Sequence, residues 1–227
     1  MSRKETVSIW ILLSAFFCLA VLTAVMWHVS RTEVPAYTGR ELTGVKKEEV
    51  AGRNSPLTEY IYLTPNATFP REDKITKITI HHMAADLSLE EAGELFSRTE
   101  GNASANYAID SEGHIGLYVE EKDRAWTSSD PENDACAVTI EVANDEIGGQ
   151  WHVSDEAYAA LLDLCTDICR RNGIRQLTFT GAANGSLTMH RMFSDETECP
   201  GPYLESRMAE IADAVNERLT QERQDTF

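Results

Sequence analysis

The chain has 227 residues, 42% hydrophobic and 25% charged, enough apolar material for a folded core and too much for a disordered chain. Its 37 acidic against 20 basic residues leave a formal net charge of −17, which argues against a phosphate-backbone binder and against docking on anionic lipid by charge alone. Five cysteines are too few and too unevenly spaced for a disulfide scaffold.

The N-terminus has a different character. After Arg3, Lys4 and Glu5, the stretch from Val7 to Trp27 carries no charge and is mostly apolar. At 1.5 Å per residue its roughly 21 residues reach about 30 Å as a helix, the thickness of a bilayer core. Trp10 and Trp27 sit near its ends, where interfacial aromatics are favoured. The expectation is a cytoplasmic N-terminus over 1–6, a single-pass transmembrane anchor over 7–29 and an extracytoplasmic remainder. The alternative is a secreted protein whose signal peptide is cleaved near Ala20, after the small residues Cys18 and Ala20. Residues 30–56 are polar, mixed in charge and dotted with Pro35, Gly39, Gly44, Gly52 and Pro56, and read as a linker. One folded domain is expected over 57–227.

Within that domain, Lys74 to Met83 (KITKITIHHM) alternates and is rich in β-branched residues, so it predicts a strand. Ser88 to Ser97 opens with a Ser cap and an acidic first turn, then shows helical spacing. Asn106–Asp110 and His114–Val119 flank Ser-Glu-Gly, as in a hairpin. Ala135 to Ala143 (ACAVTIEVA) reads as a nearly continuous buried strand. Ser154–Arg171 predicts a helix closed by Asn172-Gly173, Gln176–Thr180 a short strand, and Pro202–Arg218 a last amphipathic helix. Alternating strands and helices with one hairpin place the domain in the α/β class, a central mixed sheet packed by helices.

The residues with ligand chemistry are His81, His82, His190 and Cys199. A catalytic zinc takes three protein ligands and keeps a fourth position open. Side chains alternate along a strand, so only one of His81 and His82 joins a common site. Ile78, Ile80 and His82 share the apolar face that should meet helices, leaving His81 with Lys77 and Thr79 on the polar face. Cys199 lies in a polar loop nine residues after His190 and before Pro200-Gly201-Pro202, a setting that suits a ligand better than a core filler.

Ile78-Thr-Ile-His81-His82-Met-Ala-Ala85, Asn106-Tyr107-Ala-Ile-Asp110, Val138-Thr-Ile-Glu141-Val-Ala-Asn144, Met189-His190-Arg191 and Cys199-Pro200-Gly201 together resemble the bacterial zinc amidases of type 2. These are N-acetylmuramoyl-L-alanine amidases, which share a fold with phage amidase-type lysozymes and peptidoglycan recognition proteins. The resemblance covers Thr76 to Leu204. It implies zinc held by His81, His190 and Cys199, with His82 structural. It also implies Tyr107 as the active-site tyrosine that hydrogen-bonds the developing oxyanion, Glu141 as the carboxylate that moves the water proton, and Thr197 near the scissile carbonyl. The implied substrate is peptidoglycan or a muropeptide, cut between N-acetylmuramic acid and L-alanine. No nucleic acid is expected as partner, and membrane contact is expected only through the N-terminal helix. The alternative within the same fold is a non-catalytic peptidoglycan-binding module. Binding-only relatives typically lack the Cys ligand, whereas Cys199 is present.

The sequence departs from that pattern in two places. The interval from His190 to Cys199 is one residue longer than the usual eight, which bears on the placement of Thr197. After Trp126 many members carry a histidine and a small residue, where this chain has Thr127-Ser128-Ser129. Cys165 and Cys169, four apart on one helix face, are expected as buried thiols, and Cys136 as a core residue. His114 and His152 are expected at the surface, and His28 at the membrane interface.

Overall fold

The computed structural model describes residues 34–98 and 100–225. The expected anchor over 7–29, with Trp10, Cys18, Trp27 and His28, lies outside the described residues. Among the described residues no helix is long and apolar enough to cross a membrane.

The centre is a seven-stranded mixed sheet. Its spatial order is β1 (Arg40–Glu41), β2 (Tyr60–Leu63), β6 (Ile115–Leu117), β5 (Tyr107–Ile109), β8 (Ala137–Val142), β4 (Lys77–His82) and β9 (Leu187–Met189). A separate ribbon pairs β3 (Ala67–Thr68) with β7 (Arg124–Ala125). The helices are α1 (Gly44–Ala51), α2 (Leu89–Phe96), α3 (Pro131–Cys136), α4 (Asp155–Arg171) and α5 (Gly201–Asp225). Strand β4 lies parallel between β8 and β9, β5 joins β8 in parallel, and β5 and β6 form the expected antiparallel hairpin. This is the α/β class with a mixed sheet that the sequence predicts.

Period-two alternation divides the sheet chemically. Ile78, Ile80, Ile140 and Leu187 share one face and one core cluster with Leu161, Leu164 and Ile168 of α4 and Leu204, Met208 and Ile211 of α5. The other face carries Thr79, Thr139 and Thr188, whose buried hydroxyls are all satisfied, as buried polar groups must be. The Oγ1 atoms of Thr79 and Thr188 lie 2.9 Å apart. Thr139 Oγ1 accepts the Asn106 N–H at 3.2 Å, and Asn133 Nδ2 of α3 donates to Thr79 Oγ1 at 3.0 Å. That polar stripe runs on to His81 and Glu141, which pair in register near the carboxyl ends of β4 and β8.

Local signals account for most of the helices. Ser88 and Glu91 form a reciprocal capping box on α2. Ser154 caps α4 by accepting the Ala157 N–H, and Arg170 and Arg171 lie in its last turn, against the negative end of the dipole. Helix α2 reaches the sheet because Gly93 has no side chain: a Cβ there would lie 2.9 Å from Tyr62 Cγ.

Four expectations need correction. The segment 30–56 is not a linker throughout: from Pro35 it belongs to the folded unit, forms β1 and α1, and buries Leu42 and Val50 in the main core. Helix α1 escaped the periodicity because Val50 is its one buried residue and Val45 points outward. Ala135 and Cys136 end helix α3 rather than open a strand; Asp130 caps that helix by accepting the Glu132 and Asn133 N–H groups, with Pro131 in its first turn. Cys136 is therefore only half-buried, its thiol against the Glu132 and Asn133 carbonyls at 3.5 and 3.4 Å. Gln176–Thr180 forms no strand; Thr178 meets Ser186 and Leu187 through isolated hydrogen bonds beside β9. Cys165 and Cys169 are buried free thiols on α4, as expected.

Candidate metal centre

His81, His190 and Cys199 come from three separate stretches and converge at the carboxyl end of β4. The strand holds His81, fully buried, on its polar face. His190 follows β9 directly and opens a 3-10 turn over His190–Met192. Cys199 is held by its own loop: its N–H donates to Thr197 Oγ1 at 3.1 Å, and its carbonyl accepts the Arg191 N–H at 3.0 Å. One ligand atom from each of the three lies within 4.8 Å of the other two. Cys199 Sγ lies 3.5 Å from His81 Nδ1, and the His81 and His190 rings are 4.8 Å apart.

His82 points to the opposite face and supports the loop rather than the cluster. Its backbone N–H donates to Cys199 Sγ at 3.4 Å, and its ring meets the Trp151 indole edge-on at 5.2 Å. Gly201 makes this packing possible. Its φ is +81°, and a Cβ would stand 3.0 Å from Trp151 Cβ and 3.1 Å from His82 Cε1.

Glu141 stands beside the cluster, with Oε1 3.9 Å from His81 Nδ1. Its side chain keeps 17% exposure, yet Oε2 is enclosed and without a hydrogen-bond partner, as is His81 Nε2. Burial pushes the Glu141 carboxyl up to about 8. Burial first, and then the neighbouring His190 and His82, hold His81 well below the usual imidazole range; burial also lowers His190. Burial, with the charge of Glu141 second, raises the Cys199 thiol. Both imidazoles are thus neutral and ready to donate a lone pair, while the thiol must lose its proton before it can ligate.

These observations fit a bound cation. Two neutral imidazoles and one thiol form a zinc-type donor set, and an enclosed carboxylate oxygen without a partner is costly unless a positive charge faces it.

The remaining expected residues are placed as follows. Thr197 is tied to the amide of Cys199 and so shapes the ligand loop. Tyr107 does not join the cluster. In the parallel register of β5 and β8 it pairs with Ile140, while Ala108 pairs with Glu141, so the tyrosine points into the apolar face. Its hydroxyl accepts the Ser55 N–H at 3.0 Å and donates to Glu121 at 2.7 Å, fully buried. The oxyanion role is therefore corrected: Tyr107 braces the opposite side of the sheet. His114 and His152 are partly exposed and bonded to Asp110 and Asp145. A contact outside the sequence-based set is Ser129 Oγ, 3.5 Å from His190 Nε2, from a residue with φ +60°. Its one sequence signal was the unusual Thr127-Ser128-Ser129 after Trp126.

The profile of the N-acetylmuramoyl-L-alanine amidase family (Amidase_2) matches residues 71–202, more than half of the chain. No curated protein matches significantly. Among solved structures, a selenomethionine AmpD derivative is similar at 17% identity and TM-score 0.51, over 67% of this chain and 93% of that one. The catalytic domain of XlyA is similar at 14% identity and TM-score 0.51, over 66% and 92%. At these identities the structural likeness speaks for the fold. The N-acetylmuramoyl-L-alanine amidase LysC from Clostridium intestinale matches at 18% identity and TM-score 0.46, over 60% and 83%. With the profile spanning β4 through the Cys199 loop and the first residues of α5, the chain belongs to the N-acetylmuramoyl-L-alanine amidase family.

Proposed function

We propose that this protein is a zinc-dependent N-acetylmuramoyl-L-alanine amidase that hydrolyses the amide between N-acetylmuramic acid and L-alanine of peptidoglycan. The observation that carries the reading is the convergence of His81, His190 and Cys199 within 4.8 Å, inside the segment matched by the family profile. These three residues would hold the zinc. Bound there, zinc supplies a Lewis acid that polarises the scissile carbonyl and acidifies water. Glu141 takes the proton of the attacking water on its carboxylate and delivers it to the departing amide nitrogen. Its position beside His81 and its affinity for a proton near neutral pH suit both halves of that transfer. Thr197 and the backbone N–H of His82 hold Cys199 in place, the latter by a hydrogen bond that favours the thiolate. The uncharged stretch 7–29 supports a single-pass membrane anchor with the catalytic domain outside the cytoplasm.

The test is to incubate the zinc-loaded full chain with purified peptidoglycan and analyse the soluble products for stem peptides with a free L-alanine amine. Release by the wild type, abolished in Glu141→Gln at full zinc occupancy, is the expected result. No release by protein carrying one zinc per chain, at any pH near neutral, would overturn the reading.

A further inference from the structure

Ser129 sits beside the metal centre in a conformation that a serine adopts only under strain. Its φ is +60°, in the left-handed region where a Cβ is crowded and glycine is not. The flanking residues hold it there. The Thr127 and Ser128 N–H groups and the Ser128 hydroxyl all donate to the Asp134 carboxylate, at 2.9, 3.1 and 2.7 Å. The Thr127 hydroxyl donates to the Ser104 carbonyl at 2.6 Å, and Asp130 on the other side caps α3. Ser128 and Asp134 are both buried, so the turn is built into the fold rather than laid on its surface. Strain that the surroundings over-determine in this way clusters at functional sites, and the metal centre is adjacent. None of these bonds uses the Ser129 hydroxyl. Among the described residues its contact is with His190, whose Nε2 lies 3.5 Å from Oγ across 61 residues of chain.

A ligand imidazole gives one nitrogen to a metal and carries its proton on the other, and an acceptor for that proton fixes both tautomer and ring. We propose that Ser129 is a positioning residue for the metal centre: its hydroxyl accepts the N–H of His190 Nε2, which leaves the Nδ1 lone pair for the cation. The inference rests on the zinc-binding part of the amidase reading and makes no use of its substrate. The fixed turn gives the hydroxyl an advantage over a water in the same place, because little freedom is lost when the contact closes on metal uptake. It also accounts for a serine where glycine would fit without strain, since glycine has no acceptor to offer.

The experiment uses the full chain as wild type, Ser129→Gly and Ser129→Ala. Both variants lose the hydroxyl, but only alanine keeps a Cβ in the left-handed region, so the metal-free Ser129→Gly protein should have the higher urea midpoint of the two. Zinc affinity, read by competition with a chromophoric chelator, should nevertheless fall by about 10-fold in both alike. Nitrogen NMR of the histidine-labelled, zinc-loaded wild type should show His190 protonated at Nε2. Unchanged zinc affinity in both variants, an affinity that follows the urea midpoint instead of the hydroxyl, or a zinc-bound His190 protonated at Nδ1 overturns the inference. A wild type that takes up no zinc overturns it together with the zinc reading. Failure to cleave peptidoglycan with zinc bound overturns the amidase reading alone, because none of these measurements reads activity.

Discussion

Glu141 places a measurable strain on the metal-free protein. Its carboxyl has an ordinary value of 4.5 and is raised to about 8 by burial, so the folded state holds its proton longer than the unfolded chain does. A raised carboxyl makes folding stability greatest at low pH and erodes it as pH climbs from about 4.5 to about 8. At about 1.4 kcal/mol per pH unit, the loss would reach between about 4 and 5 kcal/mol by pH 8 for a fully enclosed group. The 17% of the side chain still in contact with water trims this, and the enclosed Oε2 sets its upper limit, so about 3 kcal/mol is expected. Glu141→Gln removes the titration and keeps the shape. Urea unfolding of chelator-treated wild type and variant at pH 5 and pH 8 isolates the effect, because other titrating groups are common to both. At pH 5 the two should differ by no more than about 1 kcal/mol; at pH 8 the variant should be more stable by about 3 kcal/mol. A difference that is the same at both pH values refutes the reasoning.

Three further outcomes follow from the geometry. Tyr107→Phe strips a partner from the Ser55 N–H and from Glu121 and should cost about 1–3 kcal/mol in denaturant unfolding, with kcat unchanged at full zinc occupancy; a large fall in kcat would restore the tyrosine to the reaction. Gly201→Ala forces a side chain into a left-handed residue against Trp151 and His82, and should cost about 1–3 kcal/mol and weaken zinc binding, read by competition with a chromophoric chelator. Asp167 is pushed up by burial but brought net below its ordinary 3.8 by hydrogen bonds from Arg171, Ser55 and Arg170. A depressed carboxyl adds stability that is present above about pH 4 and lost as pH falls through its folded value, so Asp167→Asn should flatten the acid limb of a stability profile; an unchanged limb counts against it.

Much of the scaffold is legible in the amino-acid pattern, because its signals are local. Alternation in β4 separates His81 from His82 before any partner is known, and Ser88, Glu91 and Ser154 announce their helices through hydrogen bonds that close within one turn. Helix α1 was not legible, since one buried side chain in eight residues leaves no period to find. Tyr107 failed for a different reason. Alternation says that neighbours point apart, but only the register with β8 decides that Ala108, not Tyr107, stands beside Glu141. Tertiary structure alone also brings Cys199 to His81 across 118 residues of chain. Contacts of that range depend on how strands order and align within the sheet, a property of the whole fold that no local pattern carries.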